Sequence, residues 1–299
     1  MKIAITGSSG LVGSAIIDKL KKNGHTILRF VRNKEDLSDD TLVWDPMKGI
    51  ENSEKLNGVD IVINLAGENI ASGRWTEAKK QRILESRVKG TETLCNALAV
   101  LEQPPKLLIN ASAIGYYGSQ GDCIVNEEGP SGDGFLANVC KGWEAATGIA
   151  EKTGIRVVKL RIGVVLSKDG GALAKMLLPF KLGLGGVVGS GKQWMSWIAL
   201  EDLVGIVQHV IEDEAIRGPV NAVTPMAVTN YEFTKTLGKV LNRPTIFPLP
   251  AFVARFMFGE MADELLLSST RVNPTALAMT GYSFLYPDLE GAFESILKS

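Results

Sequence analysis

Histidine is almost missing from this chain. His25 and His209 are the only two, one after a helix-terminating glycine and one on an amphipathic helical stretch. Neither stands among other metal-ligating side chains, which excludes a histidine-based metal centre. Cysteine is nearly as rare. Cys95, Cys123 and Cys140 are too few and too scattered for a disulfide framework or a zinc knuckle, and they predict reduced, mostly interior thiols. Neither charge sign is in excess: 32 basic and 33 acidic residues leave a net −1, so no basic field points to nucleic acid or a membrane surface. No apolar run is long enough to span a bilayer. Lys2 is followed by only three apolar residues before Thr6 and Gly7, which is not a secretory signal pattern. The expectation is a soluble, cytoplasmic protein.

What the chain does have is apolar residues, 45% of its 299, enough for one large core or two modest ones. Short runs rich in Ile, Val and Leu at residues 2–5, 26–31, 42–44, 60–65, 107–111 and 156–162 read as strands buried on both faces. Helical periodicity fills most of the gaps, at 11–23, 76–101 and 135–153. That alternation predicts an α/β fold, a doubly wound parallel sheet of Rossmann type. From about residue 170 the texture changes. Gly and Trp crowd residues 182–197, then a helix (200–211), a strand (220–223) and a helix (231–241) follow. Arg243-Pro244 and Pro248-Leu249-Pro250 punctuate the approach to a last, mostly helical stretch. The predicted organisation is a dinucleotide-binding domain over 1–245, holding part of a substrate-side lobe from about 170, and a small helical C-terminal domain over 246–299.

The most telling stretch is I-A-I-T-G-S-S-G-L-V-G at residues 3–13. A buried strand runs into a turn with Gly7, Gly10 and Gly13, and a helical pattern starts at once. The glycines permit a tight turn and close backbone approach to a pyrophosphate. The new helix offers unpaired N–H groups and the positive end of its dipole. Gly7, Ser9, Gly10, Leu11, Val12 and Gly13 are therefore the expected pyrophosphate site. The second strand ends Phe30-Val31-Arg32-Asn33. An acid there suits the ribose 2′-OH of NAD, whereas a cation suits the 2′-phosphate of NADP. Arg32 points to NADP(H), with Glu35 or Asp36 reaching back to an NAD ribose as the alternative.

Further motifs run the length of the chain: V-W-D-P at 43–46, N-L-A-G-E-N-I-A at 64–71, S-A-I-G-Y-Y-G at 112–118, L-R-I-G-V-V-L at 160–166, W-M-S-W-I at 194–198 and G-E-M-A-D-E-L-L-L at 259–267. Together with T-G-S-S-G-L-V-G they resemble the epimerase family proteins of the 39U subfamily. These are atypical short-chain dehydrogenases of the NAD(P)-dependent epimerase/dehydratase group. The resemblance implies a Rossmann fold, NADP(H) binding and, in bacterial members, a small C-terminal domain of unknown function. It also implies places along the cofactor. Trp44 stands where related enzymes hold the adenine, and suits the core equally well. Leu65, Ala66 and Gly67 line the cofactor on the nicotinamide-ribose side, and Val165 passes under the nicotinamide. Arg87 is a phosphate or ribose partner, or else a surface cation on a helix that also carries Lys79, Lys80, Arg82 and Lys89.

Short-chain dehydrogenases use a Tyr as general acid/base, a Lys four residues later on the same helical face, and a Ser or Thr on the fifth strand. By the same resemblance Lys141 is in place, but Ala137 stands where the Tyr belongs and Ala113 where the Ser or Thr belongs, with Ser112 one residue earlier. An alanine cannot donate a proton. Tyr116 and Tyr117 follow the fifth strand and Glu68-Asn69 follows the fourth, so these supply the candidate replacements. Tyr117, Glu68 and Lys141 are the catalytic candidates, Glu68 with a pKa raised by an apolar wall. As the alternative, Glu68 and Asn69 cap their loop by hydrogen bonding. Glu144, three residues after Lys141, is expected to pair with it. Asn69, Trp75, Ser112, Tyr116, Gln193 and Trp197 are the expected substrate pocket, with Trp194 and Ser196 beside them. No metal is expected.

Two functions fit. One is an NADP(H)-dependent oxidoreductase, or a nucleoside-sugar-epimerase-like enzyme, acting on a small substrate. The other is a catalytically silent NADP(H)-binding sensor or regulatory protein, which an intact glycine loop beside Ala137 favours.

Overall fold

Apolar β-branched runs flanked by turn residues become the strands of one central sheet. The computed structural model describes residues 1–32 and 38–298. The strands are β1 (Lys2–Thr6), β2 (Thr26–Val31), β3 (Thr41–Asp45), β4 (Gly49–Ile50), β5 (Ile61–Asn64), β6 (Leu107–Ala113), β7 (Ile124–Val125), β8 (Arg156–Ile162), β9 (Val164–Leu166), β10 (Trp194–Met195), β11 (Trp197–Ala199), β12 (Gly218–Ala222), β13 (Val228–Thr229) and β14 (Arg271–Val272). The helices are α1 (Leu11–Lys22), α2 (Glu77–Ala99), α3 (Phe135–Ala145), α4 (Gly148–Lys152), α5 (Gly171–Lys181), α6 (Leu200–Glu212), α7 (Asn230–Leu241), α8 (Ala251–Phe258), α9 (Thr275–Met279) and α10 (Leu289–Lys298).

Eight strands form the sheet in the order β12-β8-β6-β5-β1-β2-β3-β4. All pairs are parallel except β3 with β4. From β1 the chain winds outward to β2 and β3, then returns to lay β5, β6, β8 and β12 on the other side. The strand order therefore reverses between β1 and β5, and the crevice at their carboxyl ends is where open α/β sheets bind ligands. One face is covered by α1 and α6, whose Ile16, Ile17, Leu20, Leu203, Ile206 and Val210 pack with sheet residues such as Ile5 and Ile63. The opposite face is covered by α2 and α4, through Leu94, Cys95, Leu98 and Ala150.

The expected helix over 135–153 is two helices. Ala146 and Thr147 break it, Thr147 Oγ1 donating back to the Glu144 carbonyl at 2.8 Å before Gly148 starts α4. The chain beyond residue 170 also returns to the main sheet, because β12 pairs with β8 in register from Gly218 and Val158. A further core joins α5, α7 and α10 around Trp197, Phe233 and Phe293. No helix among the described residues is long and apolar enough to cross a membrane.

Candidate functional site

The glycine turn is shaped by contacts that leave no room for side chains. Gly7 has φ +68°, and a Cβ there would stand 2.9 Å from the Leu65 carbonyl carbon. A Cβ on Gly13 would stand 2.2 Å from the Gly7 carbonyl oxygen, so only glycine lets α1 begin this close to β1. The α1 N-cap is Gly10, with no side-chain cap and no acid in the first turn. The N–H groups of Leu11, Val12 and Gly13 have no partner among the described residues. An open, positive helix end therefore faces the crevice, a fit for a pyrophosphate.

Thr6 locks this turn to the neighbouring strand. Its Oγ1 donates to Asn64 Oδ1 at 2.6 Å and accepts from the Leu65 and Ala66 N–H groups at 3.0 and 3.1 Å. Asn64 Nδ2 donates to Thr91 Oγ1 and Asn110 Oδ1, and Trp143 Nε1 donates to the same Thr91 oxygen. This buried network joins β1, β5, β6, α2 and α3, and it fixes Leu65, Ala66 and Gly67 beside the glycine turn. Val165 comes to the same place. A Cβ on Gly171 would meet the Val165 carbonyl at 3.5 Å, and one on Gly170 would meet Leu11 at 3.4 Å.

Arg87 is turned inward rather than out to solvent. Its guanidinium lies against Gly67, 3.0 Å from where a Cβ would stand, and 5.0 Å from the Trp143 ring centroid. Nη1 donates to the Glu68 and Ile83 carbonyls at 3.0 and 3.2 Å. Burial lowers its pKa from the usual guanidinium value. Arg32 is exposed directly after β2, where a 2′-substituent would lie. The alternative acids Glu35 and Asp36 lie outside the described residues. Trp44 belongs to the core: it is 3% exposed and edge-on to Phe30 at 5.5 Å, so its ring presents no surface to an adenine.

The catalytic candidates are placed differently from expectation. Glu68 is not a raised-pKa acid. Lys79 Nζ donates to its Oε1 at 2.6 Å, and the Lys79, Arg82 and Arg32 charges hold the carboxyl below its ordinary range despite partial burial. Tyr117 is sealed. It has no exposed surface, its Oη donates to Asn221 Oδ1 at 2.7 Å and accepts from Arg161 Nη1 at 2.9 Å, and burial raises its pKa. Glu144 pairs with Arg161 instead of Lys141, through two bonds of 2.8 and 2.9 Å, and also accepts from Ser112 Oγ at 2.7 Å. Lys141 is only three positions before Glu144 on the helix, but Arg161 meets the carboxylate in a dry interior where a bidentate bond is strongest. Ser112 is thereby buried behind the strand rather than lining a pocket. Burial pushes the neighbouring Cys140 thiol up to about 11. Lys141 is half-buried and makes no hydrogen bond or ion pair among the described residues. Tyr116 is half-buried with the Arg161 guanidinium 3.5 Å from its ring centroid.

The pocket candidates divide. Trp75 is half-buried at the start of α2, its Nε1 donating to the Ile70 carbonyl at 2.7 Å and its ring edge-on to Phe135 at 5.2 Å. Asn69 is exposed and closes its own turn, Oδ1 accepting from the Ala71 N–H. The loop they bracket is held across the crevice by Lys175 Nζ on the Ala71 carbonyl at 2.8 Å and Arg74 Nη2 on the Phe256 carbonyl at 2.6 Å. Gln193 and Trp197 are interior residues. Gln193 Nε2 donates to the Val188 and Leu266 carbonyls, and Trp197 has no exposed surface. Buried amide and indole N–H groups need partners, and these found backbone carbonyls.

With this geometry in view, residues 3–222 match the NAD dependent epimerase/dehydratase family, and residues 249–296 match a domain of unknown function, DUF1731. The chain belongs to the NAD dependent epimerase/dehydratase family. It is 47% identical to the epimerase family protein Mb2239 of Mycobacterium bovis, over 94% of this chain and 93% of that one. It is 35% identical to the epimerase family protein YfhF of Bacillus subtilis, over 99% of this chain and 98% of that one. The crystal structure of human epimerase family protein SDR39U1 (isoform 2) with NADPH matches with a TM-score of 0.91 at 35% identity, over 100% of this chain and 99% of that one.

Several polar side chains that shape this crevice are not among the site residues expected from the sequence. Thr6, Asn64, Asn110 and Arg161 are polar residues inside otherwise apolar strands, and that interruption was the available signal. Lys79 gave no such signal, since a lysine on a helix with many cations reads as solvated. Glu264 was equally silent. Its two oxygens accept from the Phe135 and Leu136 N–H groups at 3.0 and 3.1 Å, capping α3 from 129 residues away.

Proposed function

We propose that this chain is an NADP(H)-dependent oxidoreductase, or an epimerase-like enzyme, acting on a small molecule held at the carboxyl edge of the sheet. The observation that carries this reading is the open α1 N-terminus behind a turn in which Gly7 and Gly13 tolerate no side chain. The relative solved with NADPH supports it. The N–H groups of Leu11, Val12 and Gly13 would hold the pyrophosphate, Arg32 the 2′-phosphate, and Leu65, Ala66, Gly67 and Val165 the nicotinamide half. When bound, the cofactor supplies the hydride. The protein supplies orientation and a proton. With Tyr117 sealed and Glu68 ionised, Tyr116 is the hydroxyl remaining at the end of β6, and Arg161 across its face fixes the ring. Tyr116 Oη donates its proton to the substrate oxygen as that oxygen gains charge, and Lys141 lies one residue past Cys140, which packs against the same turn.

The second reading, a silent NADP(H) sensor, is favoured by Ala137. It has no exposed surface, so the place where the family pattern puts a Tyr is closed by packing. One experiment separates the two. Stereospecifically deuterated NADPH is offered to a panel of carbonyl, enone and quinone acceptors. The enzyme reading expects label in at least one product, and Tyr116→Phe should slow that transfer by about 10²–10⁴-fold while NADPH affinity stays within about twofold. Tight NADPH binding with no transfer to any acceptor makes the sensor the better reading.

A further inference from the structure

Glu68, Lys79 and Arg82 meet beside the first turns of α2, and Arg32 follows β2 at the same carboxyl edge of the sheet. Glu68 Oε1 is 2.6 Å from Lys79 Nζ and 3.8 Å from Arg82 Nε. Arg32, directly after β2, acts on the same carboxyl. One carboxylate thus stands among three cations. Lys79 is committed: its side chain is 7% exposed, and it also donates to Ser72 Oγ at 2.9 Å. Arg82 is not. Its side chain is 59% exposed and, at 3.8 Å from Glu68, it makes no hydrogen bond among the described residues.

With Glu68 and Lys79 paired, the Arg82 guanidinium keeps its donors open, and Arg32 is exposed at the same edge of the crevice. A phosphate monoester carries about −1.5 to −2 at neutral pH and three strong acceptor oxygens. The planar guanidinium fork matches those oxygens, and an uncharged ribose hydroxyl draws far less from it. Resting on the NADP(H) reading above, we propose that Arg82 is a second ligand of the cofactor's 2′-phosphate, sharing it with Arg32 and setting the preference for NADP(H) over NAD(H). Glu68, anchored by Lys79, holds the Arg82 fork toward this corner.

Calorimetric titration of NADPH and NADH into the full chain and into Arg82→Gln, Arg32→Gln and the double variant tests this. Arg82 is exposed on α2, so its replacement leaves the fold intact, which thermal unfolding checks. Arg82→Gln should weaken NADPH about tenfold and leave NADH within about twofold, and the double variant should bind the two equally. NADPH affinity unchanged in Arg82→Gln but reduced in Arg32→Gln overturns the assignment of Arg82 while keeping the NADP(H) reading. Equal weakening of both nucleotides in Arg82→Gln also overturns it, placing Arg82 on a shared part of the cofactor. Equal affinity of the unmodified protein for NADPH and NADH overturns the underlying reading instead.

Discussion

Glu68 stands in the loop four residues past β5, and its chemistry is set by charge rather than by an apolar wall. Lys79 at 2.6 Å outweighs the desolvation that favours a neutral acid. Folding therefore favours the ionised carboxyl, whose ordinary value is 4.5. The stabilisation is complete above that value and is lost as pH falls through the lower folded value. Because Glu68 is one-third exposed, the expected cost of Glu68→Gln at pH 7 is about 1 kcal/mol. Urea unfolding at a series of pH values should show the two proteins converging as pH falls below the ordinary carboxylate range; a gap that persists in strong acid assigns the loss to something other than the ion pair. Tyr117 gives the converse lesson. Tyr117 follows β6 as a catalytic candidate, but its partner Asn221 lies 104 positions away and no local pattern announces it.

At the scale of elements, α3 shows how a helix can be finished by a distant segment. It starts after Gly134, whose φ of +105° takes no side-chain cap of its own, and a Cβ there would stand 2.5 Å from Glu264 Oε1. Glu264 provides the missing acceptors and, as an anion at a helix N-terminus, complements its dipole. Glu264→Ala should cost about 0.5–2 kcal/mol. Hydrogen exchange should show faster exchange at the Phe135 and Leu136 amides, whereas unchanged protection there would mean that the carboxylate is not the working cap. The same helix carries Lys141, so this cap ties the orientation of the candidate site to residues 262–266.

At the scale of the molecule, the C-terminal stretch completes a core rather than hanging from one. Leu289, Phe293 and Ile296 of α10 pack with Trp197, Phe233 and Leu237, and Phe233 meets Phe293 edge-on at 5.1 Å. Truncation after Pro248 should expose that cluster and drive aggregation, read by size-exclusion chromatography; a monomeric truncated protein with unchanged unfolding would refute the packing argument. The parallel sheet, the glycine turn and the family were legible from the order of residues alone. Strand and helix periodicity are set by neighbours a few residues apart, and the φ of +68° at Gly7 and the 2.2 Å approach that a Cβ at Gly13 would make to the Gly7 carbonyl oxygen arise within one turn. Which side chains are open for chemistry was settled by the packing of the folded chain. Glu144 chose Arg161 over Lys141, Gln193 turned to Leu266, and Trp44 and Trp197 went to the core. The reason is that burial and pairing depend on contacts between residues far apart in sequence, and a buried polar group takes whichever partner the fold brings within reach.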